Sequence, residues 1–134
     1  MQIPLIIILS LHVLSSVFWA GSSFTLARTG GAGGEQLFGP QMGAAVVTML
    51  TGGYLGHAVH AGMFGPAEKI LTVGALAALL AVAVQGAIGG RAIRSLSSGP
   101  ADEAGARSRI AAAQRIAAVL LAVTALCMGA ARYA

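Results

Sequence analysis

Three histidines, His12, His57 and His60, are the side chains of this sequence best suited to bind a metal or cofactor. His12 lies roughly nine residues into an apolar segment, which places it about 14 Å along a helix that rises 1.5 Å per residue. An ionisable side chain near the middle of a membrane is costly, so it marks a candidate functional site. His57 and His60 are three residues apart near the end of a second apolar segment, so they share one helix face.

Histidines on neighbouring helices at similar depth could bind a b-type haem, because imidazole is a usual axial ligand of haem iron. The second helix would run antiparallel to the first, so its end returns towards the level of His12. We therefore predict haem b as the cofactor, with His12 as one axial ligand, His57 as the other and His60 as its substitute. In the alternative interpretation His12 hydrogen-bonds to a serine or a carbonyl, and the other two lie at the interface with headgroups or water.

Several other polar or aromatic residues could assist such a site. Trp19 lies seven residues after His12 on the same helix face, and we expect it to pack against the macrocycle. Arg28 and Lys69 could hydrogen-bond haem carboxylates, although they lie at opposite membrane interfaces and could instead be plain anchors there. Lys69 is the better placed of the two for a haem near the end of the second helix. Gln85 is the one strongly polar residue of its segment, and we favour an interhelical hydrogen bond over a place beside a cofactor.

The elements that must position these residues are membrane helices. The 134 residues are 57% hydrophobic and only 9% charged, whereas soluble domains average about 25% charged. The mean hydropathy is +0.83. Basic residues lie at the ends of apolar segments and not in one stripe, so we expect no nucleic-acid binding despite the pI near 10.3. The single cysteine, Cys127, excludes a disulfide framework and a CxxC motif.

Four apolar segments have the roughly 20 residues that a transmembrane helix requires. They cover about 3–27, 41–60, 70–90 and 110–131. The connections between them are short and contain helix breakers: a glycine-rich run within 28–40, Gly65-Pro66, and the polar stretch 91–109 with its Ser98-Gly99-Pro100. We predict an all-α protein, a single transmembrane domain over 1–134 that forms an up-down-up-down four-helix bundle.

The distribution of basic residues predicts the orientation of this bundle. Two of them, Lys69 and Arg132, lie on one side, and six lie on the other: Arg28, Arg91, Arg94, Arg107, Arg109 and Arg115. By the positive-inside rule, the first and third loops face the cytoplasm and both termini face the periplasm or the exterior. We expect an integral protein of a bacterial-type inner membrane.

The first segment resembles the first helix of a known superfamily of membrane proteins. The residues that carry this resemblance are Leu11-His12-Val13, Val17-Phe18-Trp19-Ala20-Gly21, Phe24, Leu26 and Arg28. The superfamily groups HemJ-type protoporphyrinogen oxidases with CopD-type copper-resistance proteins. In HemJ-type proteins a His precedes a Trp by seven residues and an Arg follows that Trp by nine, which is the spacing here. A Lys that opens the third helix in that family is matched by Lys69.

The resemblance implies a membrane-embedded b-type haem with His12 as an axial ligand. Our leading hypothesis is haem-based electron transfer within the bilayer, with a redox partner or a quinone. The resemblance also implies two alternatives: an oxidoreductase that converts protoporphyrinogen IX to the porphyrin, and a copper-handling protein. A cofactor-free structural subunit is a fourth hypothesis, favoured by the helix-packing motif Gly52-x-x-x-Gly56. A homo-oligomer is compatible with each of them.

Overall fold

A computed structural model describes residues 2–97 and 103–134, which form helices and short turns. The helices are α1 (Gln2–Arg28), α2 (Gly34–His60), α3 (Pro66–Val84), α4 (Gly90–Ser97) and α5 (Glu103–Ala131), with a π turn at Gln85–Gly89. Because the π turn joins α3 to α4 without a break, four helical segments are long and apolar enough to cross a membrane. The predicted all-α membrane protein with four spans is confirmed.

The spans alternate in direction, and contacts between α1 and α2 show this most directly. His12 in the first half of α1 contacts Thr48 in α2, whereas Ser22 near the end of α1 contacts Gln41, which precedes Thr48. α5 packs against both α1 and α3, whereas α2 packs almost entirely against α1. The bundle therefore has the up-down-up-down order that short connections favour.

The core of the bundle is formed by small side chains around one tryptophan. Trp19 is 1% exposed, and it packs with Ala45, Ala78, Ala81, Ala117 and Leu121. Helices in lipid gain from close backbone approach, which small residues permit. The large apolar side chains lie mostly on the outer surfaces of the helices, where a bilayer would cover them; Ile3, Leu14, Leu50 and Leu126 are examples.

α2 begins at Gly34, seven residues before the predicted start at 41. The chain turns within 29–33, where Gly31 and Gly33 both have a φ of +83°, a conformation that glycine adopts without steric cost. The start of α2 packs against the other helices: a Cβ at Gly34 would lie 3.1 Å from the Ile110 Cγ2, and a Cβ at Gly90 would lie 3.4 Å from the Phe38 ring. Pro40 therefore lies inside the helix and not in a loop.

α4 and α5 also extend further than the hydropathy predicts. α4 continues to Ser97 and α5 begins at Glu103, and these extensions carry the completely buried side chains of Ala92, Ala106 and Ile110. Polar sequence is thus helical here where hydropathy alone predicts a loop. The centre of that predicted loop, 98–102, lies outside the described residues.

Candidate functional site

His12 is buried between α1 and α2, where its ring is held by the backbone and a side chain of α2. The Nδ1 atom lies 3.1 Å from the carbonyl oxygen of Thr48 and 3.0 Å from the Oγ1 of Thr51. The His12 side chain is therefore fixed in orientation. The contact with the Thr48 carbonyl is the hydrogen bond that the alternative interpretation of His12 expects.

Both partners of the His12 Nδ1 act as hydrogen-bond acceptors. A carbonyl oxygen can only accept, and the Thr51 hydroxyl donates its hydrogen to the carbonyl oxygen of Val47 at 2.6 Å. Nδ1 must therefore carry the proton and donate it. In the neutral imidazole Nε2 then carries the lone pair. Within the described residues Nε2 has no hydrogen-bond partner, so it is the ligating atom that this site offers.

Gly52 allows the His12 ring to lie against α2. A Cβ atom placed on Gly52 would be 2.9 Å from the His12 Cε1, which is closer than real Cβ contacts, and 3.5 Å from Nδ1, which is an ordinary contact distance. Gly52 of the Gly52-x-x-x-Gly56 motif thus has the predicted role in helix packing, because the His12 side chain of α1 lies against it. Gly56, in contrast, has open space where a Cβ would lie.

His57 lies on the other side of α2, exposed on its outer surface. Nine residues separate it from Thr48, which places it about 180° around the helix at 3.6 residues per turn. It lies about 140° from Gly52 by the same geometry. The structure thus does not bring His57 to His12, and His57 does not fit the role of the second axial ligand that its depth alone suggested.

His60 is used at the turn that joins α2 to α3. Its Nδ1 lies 2.7 Å from the Oε1 of Glu68, and the other Glu68 oxygen accepts a 2.8 Å hydrogen bond from the backbone N–H of Gly65. Glu68 therefore links the end of α2 to the first turn of α3, which begins at Pro66. His60 is held in a connecting role and not beside His12.

Arg28 and Lys69 lie at opposite ends of the bundle, as predicted. Arg28 is the last residue of α1, exposed, with its guanidinium 5.8 Å from the centre of the Phe24 ring. This distance permits a cation–π interaction. Lys69 is exposed in the first turn of α3. Within the described residues there is no group of three His, Cys, Asp or Glu side chains that could hold a metal ion.

Trp19 belongs to a buried network of polar side chains. Its Nε1 donates to the Gln85 Oε1 at 2.6 Å, and the Gln85 Nε2 donates to Ser23 at 2.7 Å and to the Gln114 Oε1 at 2.9 Å. Trp19 therefore packs in the protein core, not on the open side of the helix where it could cover a macrocycle. The hydrogen bond that the sequence predicts for Gln85 lies at the π turn.

Gln41 brings α2 into the same network. Its amide pairs reciprocally with that of Gln114: the Gln41 Nε2 donates at 3.1 Å, and the Gln114 Nε2 donates back at 2.9 Å. The same Gln41 nitrogen also lies 3.1 Å from the Ser22 Oγ and 3.2 Å from the Ser23 Oγ. All four spans thus contribute to one cluster, which we name the amide network: Trp19, Ser22, Ser23, Gln41, Gln85 and Gln114.

The amide network is closed on itself. Within the described residues, every side-chain nitrogen and oxygen of the network has at least one hydrogen-bond partner. Hydrogen bonds of this kind join helices in a medium that offers no water, and satisfied polar networks give a core a single arrangement. Hydropathy and spacing do not group these glutamines. The available signal was one amide in or beside each of three consecutive apolar segments.

Comparison of the chain with family models, with curated proteins and with solved structures finds no match. The likeness of the first helix to HemJ-type and CopD-type proteins therefore remains a resemblance that rests on His12, Trp19, Arg28 and Lys69.

Proposed function

We propose that this chain is an integral membrane protein that binds a b-type haem through the Nε2 of His12. One observation carries the proposal: the Nδ1 of His12 faces two acceptors, the Thr48 carbonyl and the Thr51 hydroxyl. Histidines that bind metals commonly donate the other ring N–H to a carbonyl, which fixes the tautomer and the ring plane. Such a group supplies one-electron transfer when it is bound.

The residues around His12 have defined roles in this proposal. Thr48 and Thr51 orient the imidazole and keep the lone pair on Nε2. Gly52 lets the ring lie against the α2 backbone, where a larger residue would displace it. Because His57 and His60 lie elsewhere, we propose one protein ligand per chain in place of the histidine pair that the sequence suggested.

The orientation and cellular location form part of the same proposal. The connection 29–33 and the end of α4 lie at the arginine-rich end of the bundle, together with Arg107 and Arg109. By the positive-inside rule this end faces the cytoplasm, and both described chain ends face the periplasm or exterior of a bacterial-type inner membrane. A membrane redox partner or a quinone would then exchange electrons from within the bilayer.

A cofactor-free structural subunit is the second candidate function. It is favoured by the amide network, in which each side-chain nitrogen and oxygen has a hydrogen-bond partner within the described chain. Such a protein needs the polar cluster only to fix the register of its four spans. In this case the His12 hydrogen bonds would also be purely structural.

The deciding experiment is an optical spectrum of the detergent-purified protein, oxidised and then reduced with dithionite, after expression with ample haem. We expect a Soret band of a haem with one protein ligand, its loss in His12→Ala and its retention in the matched variant His57→Ala. Retention of the full band in His12→Ala would overturn the ligand assignment. Absence of any haem band in the wild type would overturn the proposal; metal analysis would then separate copper binding from the structural subunit.

A further inference from the structure

Five arginines at one end of the bundle have no carboxylate partner in the described chain. These are Arg28, Arg91, Arg94, Arg109 and Arg115, and all five are exposed. Glu35 and Glu103 both pair with Arg107, at 2.9 Å and 3.6 Å. The remaining described acidic side chain, that of Glu68, pairs with His60 at the opposite end. We name the five exposed arginines the arginine belt.

Arg115 lies deeper in the membrane than the rest of this belt. A Cβ placed on Gly89 would lie 4.0 Å from that of Ala113, so these residues are at the same level. α5 runs antiparallel to α4, so Arg91 lies two residues outward from this level and Arg115 two residues inward. At 1.5 Å per residue, Arg115 is about 6 Å closer to the membrane centre than Arg91.

The side of α5 that carries Arg115 faces outward. Arg115 is next to Gln114 of the buried amide network, yet Arg115 itself is exposed, as is Val119 one turn later at 65%. An exposed guanidinium at this depth needs an anion, because an unpaired charge in apolar surroundings is costly. Its long aliphatic stem can lie along the helix while the charged group reaches the headgroup layer.

We propose that the arginine belt binds anionic phospholipids of the leaflet at this end, with Arg115 as its deepest contact. The planar guanidinium forms paired hydrogen bonds with phosphate oxygens. The positive charge of the neighbouring arginines favours lipids with a net negative charge over zwitterionic lipids. Phosphatidylglycerol has this chemistry. The proposal is independent of haem binding.

The test is lipid selectivity of the full chain reconstituted in phosphatidylcholine vesicles, measured by electron spin resonance. The probes are spin-labelled phosphatidylglycerol and spin-labelled phosphatidylcholine at trace level. We expect preferential association of the anionic probe, weakened about fivefold in Arg115→Gln and reduced by added salt. Lys69→Gln, which removes an exposed cation at the opposite end, is the matched control and should retain the selectivity.

Two further variants keep the test decisive if Arg115→Gln fails to fold. Arg91→Gln should lower the selectivity, and Arg115→Lys should retain part of it, because the charge stays while the planar fork is lost. Equal association of the two probes with the wild type would overturn the proposal. Equal losses in the Lys69→Gln control and the belt variants would overturn the assignment to this end of the bundle.

Discussion

The imidazole of His12 lies against the backbone of Gly52, so that a Cβ at position 52 would be 2.9 Å from the His12 Cε1. This contact joins α1 to α2 at the depth where the hydrogen bonds of His12 to Thr48 and Thr51 are made. The glycine is therefore part of what fixes the orientation of the histidine. In lipid, where the hydrophobic effect does not drive helices together, such close contacts contribute much of the association.

Gly52→Ala should destabilise the α1–α2 contact by about 1–3 kcal/mol, the usual cost of overpacking a close contact. Neither the His12 ring nor the α2 backbone can move aside without loss of the Thr48 hydrogen bond. The measurement is the unfolding free energy in mixed detergent micelles. Gly53→Ala is the matched control, because a Cβ there meets no atom within 4 Å. Equal stability of the two variants would contradict the contact.

Gln85→Leu should shift the fluorescence emission of Trp19 to shorter wavelength and lower the stability by about 1–3 kcal/mol, since the buried indole N–H loses its acceptor. Trp19 is the single tryptophan of the chain, so its emission reports this site alone. The exposed Gln36 provides the control variant Gln36→Leu. An unchanged emission maximum in Gln85→Leu would show that the Trp19–Gln85 hydrogen bond of 2.6 Å is not formed.

Gln41→Leu and Gln114→Leu should be strongly non-additive. Each single change leaves the partner amide buried without its reciprocal hydrogen bonds, whereas the double change removes both members of the pair. A double-mutant cycle on the unfolding free energy should give a coupling of about 0.6–1.7 kcal/mol, the range for interhelical hydrogen bonds in membranes. Simple additivity of the two single effects would contradict the pairing.

Hydropathy and charge were sufficient to predict four antiparallel spans, because each apolar segment has the length that a bilayer requires. The same signals did not predict where His57 lies relative to His12. Its depth along α2 is close to that expected, but depth says nothing of the angle around the helix, and His57 faces away from α1. Packing sets that angle, and the contacts that set it involve Thr48 and Gly52, which carry little signal of their own.

Hydropathy also did not predict where the helices end or which side chains pair in the amide network. Pro40 and the glycines before it predict a loop, yet the chain is helical from Gly34 and Phe38 lies close to Gly90 of α4. Gln85 alone indicated a hydrogen bond. Its pairing with Trp19 and Gln114 depends on the register of three spans, and that register follows from contacts far apart in the sequence.

Gly31→Ala should cost more stability than Gly33→Ala, although both residues have a φ of +83°. Alanine in this left-handed conformation costs about 1–2 kcal/mol at either position. At Gly31 the new Cβ would also lie 2.7 Å from the Arg107 carbonyl oxygen and 3.2 Å from the Ile110 Cβ, whereas at Gly33 it meets no atom within 4 Å. The extra clash would push the α1–α2 turn away from α5.

The difference between these two alanine variants is thus a measure of how tightly the turn docks on α5. It can be obtained from paired unfolding curves in the same detergent, since the backbone strain is common to both variants and cancels. The Arg107 side chain reinforces the docking, because it donates to the Gly31 carbonyl oxygen at 3.0 Å. Equal losses in the two variants would mean that the turn is not packed against α5 in the folded protein.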